Sequence, residues 1–167
     1  VQSDKNQDLE AEESIRRAIE MEPHYALYWR LRAHYCFKRK RFEDAKSHIL
    51  EASRLDPMDA DIIDFHVHID QAIDEYRMTP AEEYIERLEK ALELDPENTD
   101  VLNNIGVLYM NEKKDYATAE NFFRRALAID PHTETTRNNL LTAIRHQDPL
   151  FRVLYFPRDY GVMPIVR

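Results

Sequence analysis

Glycine is almost missing from this chain: 2 in 167 residues. An all-β fold draws on many Gly- and Pro-rich turns, so that class is excluded. Cysteine occurs once, at Cys36, so no internal disulfide is possible. Among apolar neighbours it reads as a small core hydrophobe, and it says nothing of an oxidising compartment. No run approaches the ~18 apolar residues of a membrane helix, and no signal peptide is recognisable. The chain opens at Val1 rather than Met, which leaves a removed targeting segment open; the compartment is unknown, cytoplasmic by default with periplasmic as the alternative. Basic residues are in deficit, 23 Lys and Arg against 32 Asp and Glu, for a net charge of -9. That charge is spread along the chain as solvated helix faces. It leaves no concentrated basic patch for phosphates, which argues against nucleic acid as a partner. The one basic cluster, Lys38-Arg-Lys-Arg41, falls at a helix–turn junction, where positive charge also complements the C-terminal end of a helix dipole. There is no Gly-rich phosphate loop and no nucleophile elbow, and nothing places acid, base and nucleophile together. The expectation is no catalysis and no cofactor.

What the chain does have is repetition. Ala18-Ile-Glu-Met-Glu-Pro23, Ala52-Ser-Arg-Leu-Asp-Pro57, Ala91-Leu-Glu-Leu-Asp-Pro96 and Ala126-Leu-Ala-Ile-Asp-Pro131 are one phrase written four times. The prolines stand 34, 39 and 35 residues apart, a period that marks a helical-hairpin array. Upstream of each phrase, apolar residues recur at spacings of three and four: Trp29, Ala33, Ala45, Ile49, Ala52; Gly106, Tyr109, Ala119, Phe123, Ala126; Leu88, Ala91; Ala11, Ile15, Ala18. That is one face of a helix, with small residues where two helices approach most closely. Tyr84 stands where the other repeats carry Ala45 and Ala119. Asp59, Asn98 and Thr133 follow a proline by two residues and are favoured N-caps. Thr79-Pro80-Ala81-Glu82 has the form of a capping box with Pro at the first helical position. Helices are predicted at about 8–21, 25–39, 42–55, 60–77, 80–94, 99–112, 116–129 and 134–146.

The pattern resembles the tetratricopeptide repeat, a helix–turn–helix unit, over about residues 8–146. The resemblance implies an all-α fold, a right-handed superhelix of antiparallel helical hairpins. Its parts are a leading half-repeat at 8–23, repeats at about 24–57, 58–96 and 97–131, a capping helix at 134–146 and an apolar tail at 147–167. The function it implies is weaker, because the family is defined by its scaffold: binding of a protein, as an extended peptide or a helix, in a groove lined by the first helix of each repeat. Mapped onto this chain, that wall carries Leu27, Arg30, Leu31, His34, Phe37 and Lys38, then Asp61, Asp64, Phe65 and His68, then Asn103, Asn104, Val107, Met110 and Asn111, and finally Thr135, Asn138, Asn139 and Thr142. Arg30, His34, Phe37, Phe65, His68, Asn103, Asn104, Met110, Asn111 and Asn138 are the chosen site residues. Asn amides hydrogen-bond a peptide backbone in either direction, while Phe37, Phe65 and Met110 offer apolar anchors. Some family members hold a peptide carboxylate in a clamp of Lys, Arg and Asn; Arg30 and Asn104 stand near such places, but Asp64 sits where a cation or Asn is wanted.

Three departures and a tail carry further expectations. The array opens on a second helix (8–21) without its first, leaving an apolar face to be covered. The middle repeat is five residues too long, which predicts an extended first helix between Ile69 and Thr79. The helix at 134–146 has no following partner and reads as a polar-faced cap. After Asp148-Pro149 the chain is aromatic and β-branched, broken by Pro157, Gly161 and Pro164, which is not the polar composition of a disordered end. It docks on its own repeats, docks on another copy, or leads into a membrane or partner-binding segment, as in some bacterial repeat proteins. Homo-oligomers through chain ends or tail are a further possibility, and a membrane enters only through segments absent here. A metal is not expected: His66 and His68 are two apart on a helix and point about 200° apart, and the pair His66 and Asp70 does not close a site. His34 and His68 occupy equivalent places on neighbouring first helices and are a candidate shared grip on an acidic ligand.

Overall fold

The coordinates are a computed structural model that describes residues 2–74 and 79–150, with side chains from residue 10 onward. The described secondary structure is α-helical throughout: α1 (Gln2–Met21), α2 (Ala26–Lys38), α3 (Phe42–Leu55), α4 (Ala60–Ile73), α5 (Ala81–Leu94), α6 (Thr99–Asn111), α7 (Tyr116–Ile129) and α8 (Glu134–Gln147). They form two compact units, Val1–Pro96 and Glu97–Arg167. In the first, each of α1 to α4 packs on the next; in the second, α7 packs against both α6 and α8. No helix among the described residues is long and apolar enough to cross a membrane.

The repeated phrase has a physical reading. Its alanine carbonyl takes the last helical hydrogen bond, from the N–H of Asp56 to Ala52, of Asp95 to Ala91 and of Asp130 to Ala126, at 2.9–3.0 Å. The aspartate then turns the chain: the Asp56 carboxylate accepts the N–H of Met58 (3.2 Å) and that of Asp130 the N–H of His132 (2.9 Å). Asp148-Pro149-Leu150 repeats the device at 2.8 Å. This is an Asx turn, and the proline inside it cannot prolong the helix. Six residues past the proline, a side chain donates back to the proline carbonyl: Trp29 Nε1 to Pro23 (2.8 Å) and Arg137 to Pro131 (2.6 Å). These bonds lock α2 and α8 to the turns that precede them.

In the first unit, Ala45, Ile49 and Ala52 of α3 are wholly buried with Ala33 and Cys36 of α2 and with Ile62, Phe65 and Ile69 of α4. In the second, Phe123 of α7 lies in the notch left by Gly106 of α6; a Cβ there would stand 2.6 Å from Phe123 Cε1. Between α2 and α3, and again between α6 and α7, the turn places a lysine in the left-handed region, Lys40 (φ 58) and Lys114 (φ 54).

Several expectations are corrected. α1 begins at Gln2, six residues earlier than the apolar pattern suggested. α4 is not extended: it ends at Ile73, and its 14 residues match an ordinary first helix. The excess therefore lies in the connection to α5, whose residues 75–78 are outside the described set. A single carboxylate brackets that connection, because Asp74 Oδ2 accepts from the Thr79 N–H (2.8 Å) and from the Tyr84 hydroxyl (3.3 Å). Tyr84 thus fills, at a position of small residues elsewhere, the space beside a longer connection. Helix α5 starts at Ala81 with Pro80 at the cap and no side-chain cap bond. Asp59 and Asn98 cap as expected, accepting from Ile62 and Val101. Thr133 does not, because its hydroxyl donates to Asp130 at 2.7 Å. The tail from residue 151 lies outside the described residues.

Candidate functional site

The first-helix wall of the N-terminal unit is built from α2 and α4. Arg30, His34 and Lys38 follow one another at spacings of four along α2, and Asp61, Phe65 and His68 at spacings of four and three along α4. The structure brings these two stripes together. Arg30 donates to Asp61 Oδ2 at 2.7 Å. The His34 ring lies flat on Phe65, with centroids 4.3 Å apart and planes 10° apart. Phe37 meets the same ring edge-on at 5.5 Å and Phe42 at 5.3 Å. Phe65 is buried; His34 and Lys38 are exposed, and His68 is half-buried. The result is an aromatic shelf topped by an imidazole, with a cation at either end of α2's stripe. Burial, then the charges of Lys38, Arg30 and His68, hold the His34 pKa below its ordinary value. His34 is therefore neutral at pH 7 and available for stacking and hydrogen bonding. Because Arg30 is committed to Asp61, it is not a free guanidinium for a carboxylate clamp.

In the C-terminal unit the amide residues also meet. Asn139 of α8 donates to Asn103 of α6 at 3.0 Å, and Asn103 donates to Asn104 at 3.4 Å. Asn111 and Asn138 are exposed. Met110 departs from its expected place: it is 8% exposed and packs with Ala119, Phe123 and Ala143, so it belongs to the core and offers no apolar anchor.

One cluster was missed by sequence reasoning. Asp70, read there only beside His66, is the centre of an ion network across α3, α4 and α5. Arg87 donates to its Oδ2 at 2.7 Å, the Lys46 ammonium stands 3.0 Å from Oδ1, and His66 Nε2 is 3.6 Å from Oδ2. Burial pushes the Asp70 carboxyl up, but Arg87, Lys46 and His66 outweigh it and hold the pKa below the usual carboxylate value. Lys46, Asp70 and Arg87 line a cleft of about 410 Å³ with Ile73, Asp74, Thr79, Glu83 and Tyr84. Its cations come from helices 17 and 24 residues away in sequence, so no local spacing announces it. A second network ties α1 to α2: Glu12 accepts from Arg32 and Arg41 at 3.4 Å and from Tyr35 at 3.3 Å. Arg41 thus serves the helix junction and this tie together, and it also lies 3.5 Å from the buried Cys36 Sγ.

Known proteins share this architecture. A family model described as tetratricopeptide repeat matches residues 9–60, and the half-repeat, hairpin and turn it covers are those described above. Over these residues the chain is similar to the tetratricopeptide repeat, and the chain as a whole is an all-α helical-repeat fold. Among solved structures, MamA superposes with a TM-score of 0.65 at 16% identity, covering 95% of this chain and 90% of that one. The TPR domain of Arabidopsis OM64 gives 0.62 at 17% identity, covering 72% and 95%. The first TPR of Spaghetti (RPAP3), solved bound to an HSP90 peptide, gives 0.62 at 15% identity, covering 73% and 92%. At these identities the likeness is one of fold. A second family model, described as Est1 DNA/RNA binding domain, matches residues 86–148. That stretch holds 12 Asp and Glu against 8 Lys and Arg.

Proposed function

We propose that this TPR chain is a protein-interaction scaffold without catalysis of its own, and that the α2–α4 wall is where it grips an extended peptide or helix. The observation that carries this reading is the shelf of Phe37, Phe65 and His34 with Lys38 and His68 beside it. Here the exposed groups are the His34 imidazole and the Lys38 ammonium, backed by half-buried Phe37 and buried Phe65, and side chains held rigidly over a desolvated aromatic base are suited to anchor a partner. Arg30, already paired with Asp61, shapes the wall's edge. Asn103, Asn104, Asn111 and Asn138 supply amides for a peptide backbone in the second unit. The peptide-bound RPAP3 structure lends support as a protein of the same fold with a peptide partner. The Est1 match favours a nucleic-acid partner for residues 86–148, but an excess of acid repels phosphates rather than releasing their counterions.

Selection from a phage-displayed random peptide library, followed by fluorescence anisotropy with the selected peptide, tests this. His34→Glu with Lys38→Glu is expected to weaken binding about tenfold or more, about 1.4 kcal/mol, with unchanged helix content. Unchanged affinity, or no peptide enriched, overturns the reading. Salt-sensitive binding of a single-stranded oligonucleotide in its place supports the other.

A further inference from the structure

Two helices leave uncovered the faces that their counterparts bury. Counting back from the following proline, positions 12, 8 and 5 before it are Ala45, Ile49 and Ala52 in α3 and Ala119, Phe123 and Ala126 in α7, all at most 1% exposed. In α1 the same positions are Ala11, Ile15 and Ala18; Ala11 is exposed and the other two are only half-buried. Counting forward from the preceding proline, positions 10 and 13 after it are Ala33 and Cys36 in α2, at 0% and 1%. Position 10 in α4 is Val67 at 0%, and in α6 it is the buried Gly106. In α8 these two positions are Leu141 and Ile144, exposed by 43% and 38%. The register is independently fixed by position 6, where Trp29 and Arg137 both donate to their proline carbonyl.

Among the described residues, then, α1 is a second helix without a first, and α8 is a first helix without a second. Each bares the side that the other type covers elsewhere in the chain. We propose that the occupant of each is a second copy of this chain: α1 of one molecule seats against α8 of the next and completes a hairpin between them. The residue sizes fit, because Leu141 is large where other first helices carry Ala, Val or Gly, and it meets the small Ala11 and Ala18 flanking Ile15. The charges fit as well: α1 carries six Asp and Glu against three Lys and Arg, and α8 carries Arg137 and Arg145 against Glu134. The contact uses different surfaces on the two partners, so it is head-to-tail and grows beyond a dimer.

The test is the solution mass of the 167-residue chain by sedimentation across a concentration series, with two variants that each block one end. Leu141→Glu sets a carboxylate against acidic α1, and Ala11→Arg sets a cation against α8; both positions are exposed, and helix content and melting are checked to confirm folding. The wild type is expected to rise past twice 19.9 kDa with concentration. Each variant alone is expected to stay at 19.9 kDa, and their mixture to form a 1:1 pair and nothing larger. A wild type that stays monomeric overturns the proposal. If a chain ending at Leu150 then associates, residues 151–167 are the occupant of α8. Variants that still associate alone, or a mixture that does not pair, overturn it too.

Discussion

At the scale of single residues, the account turns on places where one atom decides the packing. Gly106 leaves no room for a side chain, since a Cβ would sit within 3 Å of three Phe123 ring atoms. Gly106→Leu is expected to cost roughly 1–3 kcal/mol or more by overpacking, read as a lowered urea midpoint; a neutral result would mean that Phe123 does not occupy this notch. Lys114 sits at φ 54, a conformation that glycine adopts freely and other residues resist. Lys114→Gly is accordingly expected to stabilise the chain by about 0.5–1 kcal/mol, with Lys40→Gly behaving alike at the equivalent turn. A loss of stability in both would contradict the turn geometry. Gly106 was legible in the sequence because its position is small in several repeats. The left-handed lysines were not, since nothing local requires lysine there. Met110 was misplaced for a related reason: on a helix whose two faces are both apolar, spacing alone does not tell groove from core.

At the scale of elements, helix starts divide by how their first N–H groups are satisfied. Asp59 and Asn98 each accept the N–H of the third residue of their helix, Ile62 in α4 and Val101 in α6. Asp59→Ala and Asn98→Ala are each expected to cost about 0.5–2 kcal/mol in chemical unfolding. Thr133→Val should lose instead only the hydroxyl bond to Asp130, so a cost equal to that of the two caps would contradict the assignment. Six of the eight predicted helices fall within about a residue of their ends; the Ala-to-Pro phrase marks the stops of α3, α5 and α7 by its proline, and those of α3 and α7 by an Asx turn as well. The two misses have separate causes. The start of α1 is polar and carries no periodic signal. The end of α4 is followed by a run with no proline until Pro80, so helix-compatible residues such as Glu75 and Met78 gave no reason to stop it. Asp74, which caps α4 and holds Thr79 and Tyr84, is one acid among 32 in the sequence.

At the scale of the molecule, acid should act in two stages. Burial is the largest influence holding His34, His48 and His66 below the ordinary histidine value. The unfolded chain therefore takes up protons first, and stability present above about pH 6.5 is lost as pH falls through that range. Asp70, with its pKa lowered, keeps its contribution until pH falls below about 4. Melting temperature is expected to drop between about pH 7.5 and 5 and again below 4, with the second drop reduced in Asp70→Asn; a flat profile above pH 5 would contradict the partial desolvation of these histidines. Of the proposed binding wall, the order of its residues was legible from the repeat register, whereas the pairing of Arg30 with Asp61 and of His34 with Phe65 is a product of α2 and α4 meeting through their side chains. The most direct test of that wall is an amide chemical-shift map of the chain titrated with a library-selected peptide. The expected result is shifts concentrated on α2 and α4 around Arg30, His34, Lys38, Phe65 and His68. Shifts gathered instead about the Asp70 cleft, with α2 silent, would contradict it.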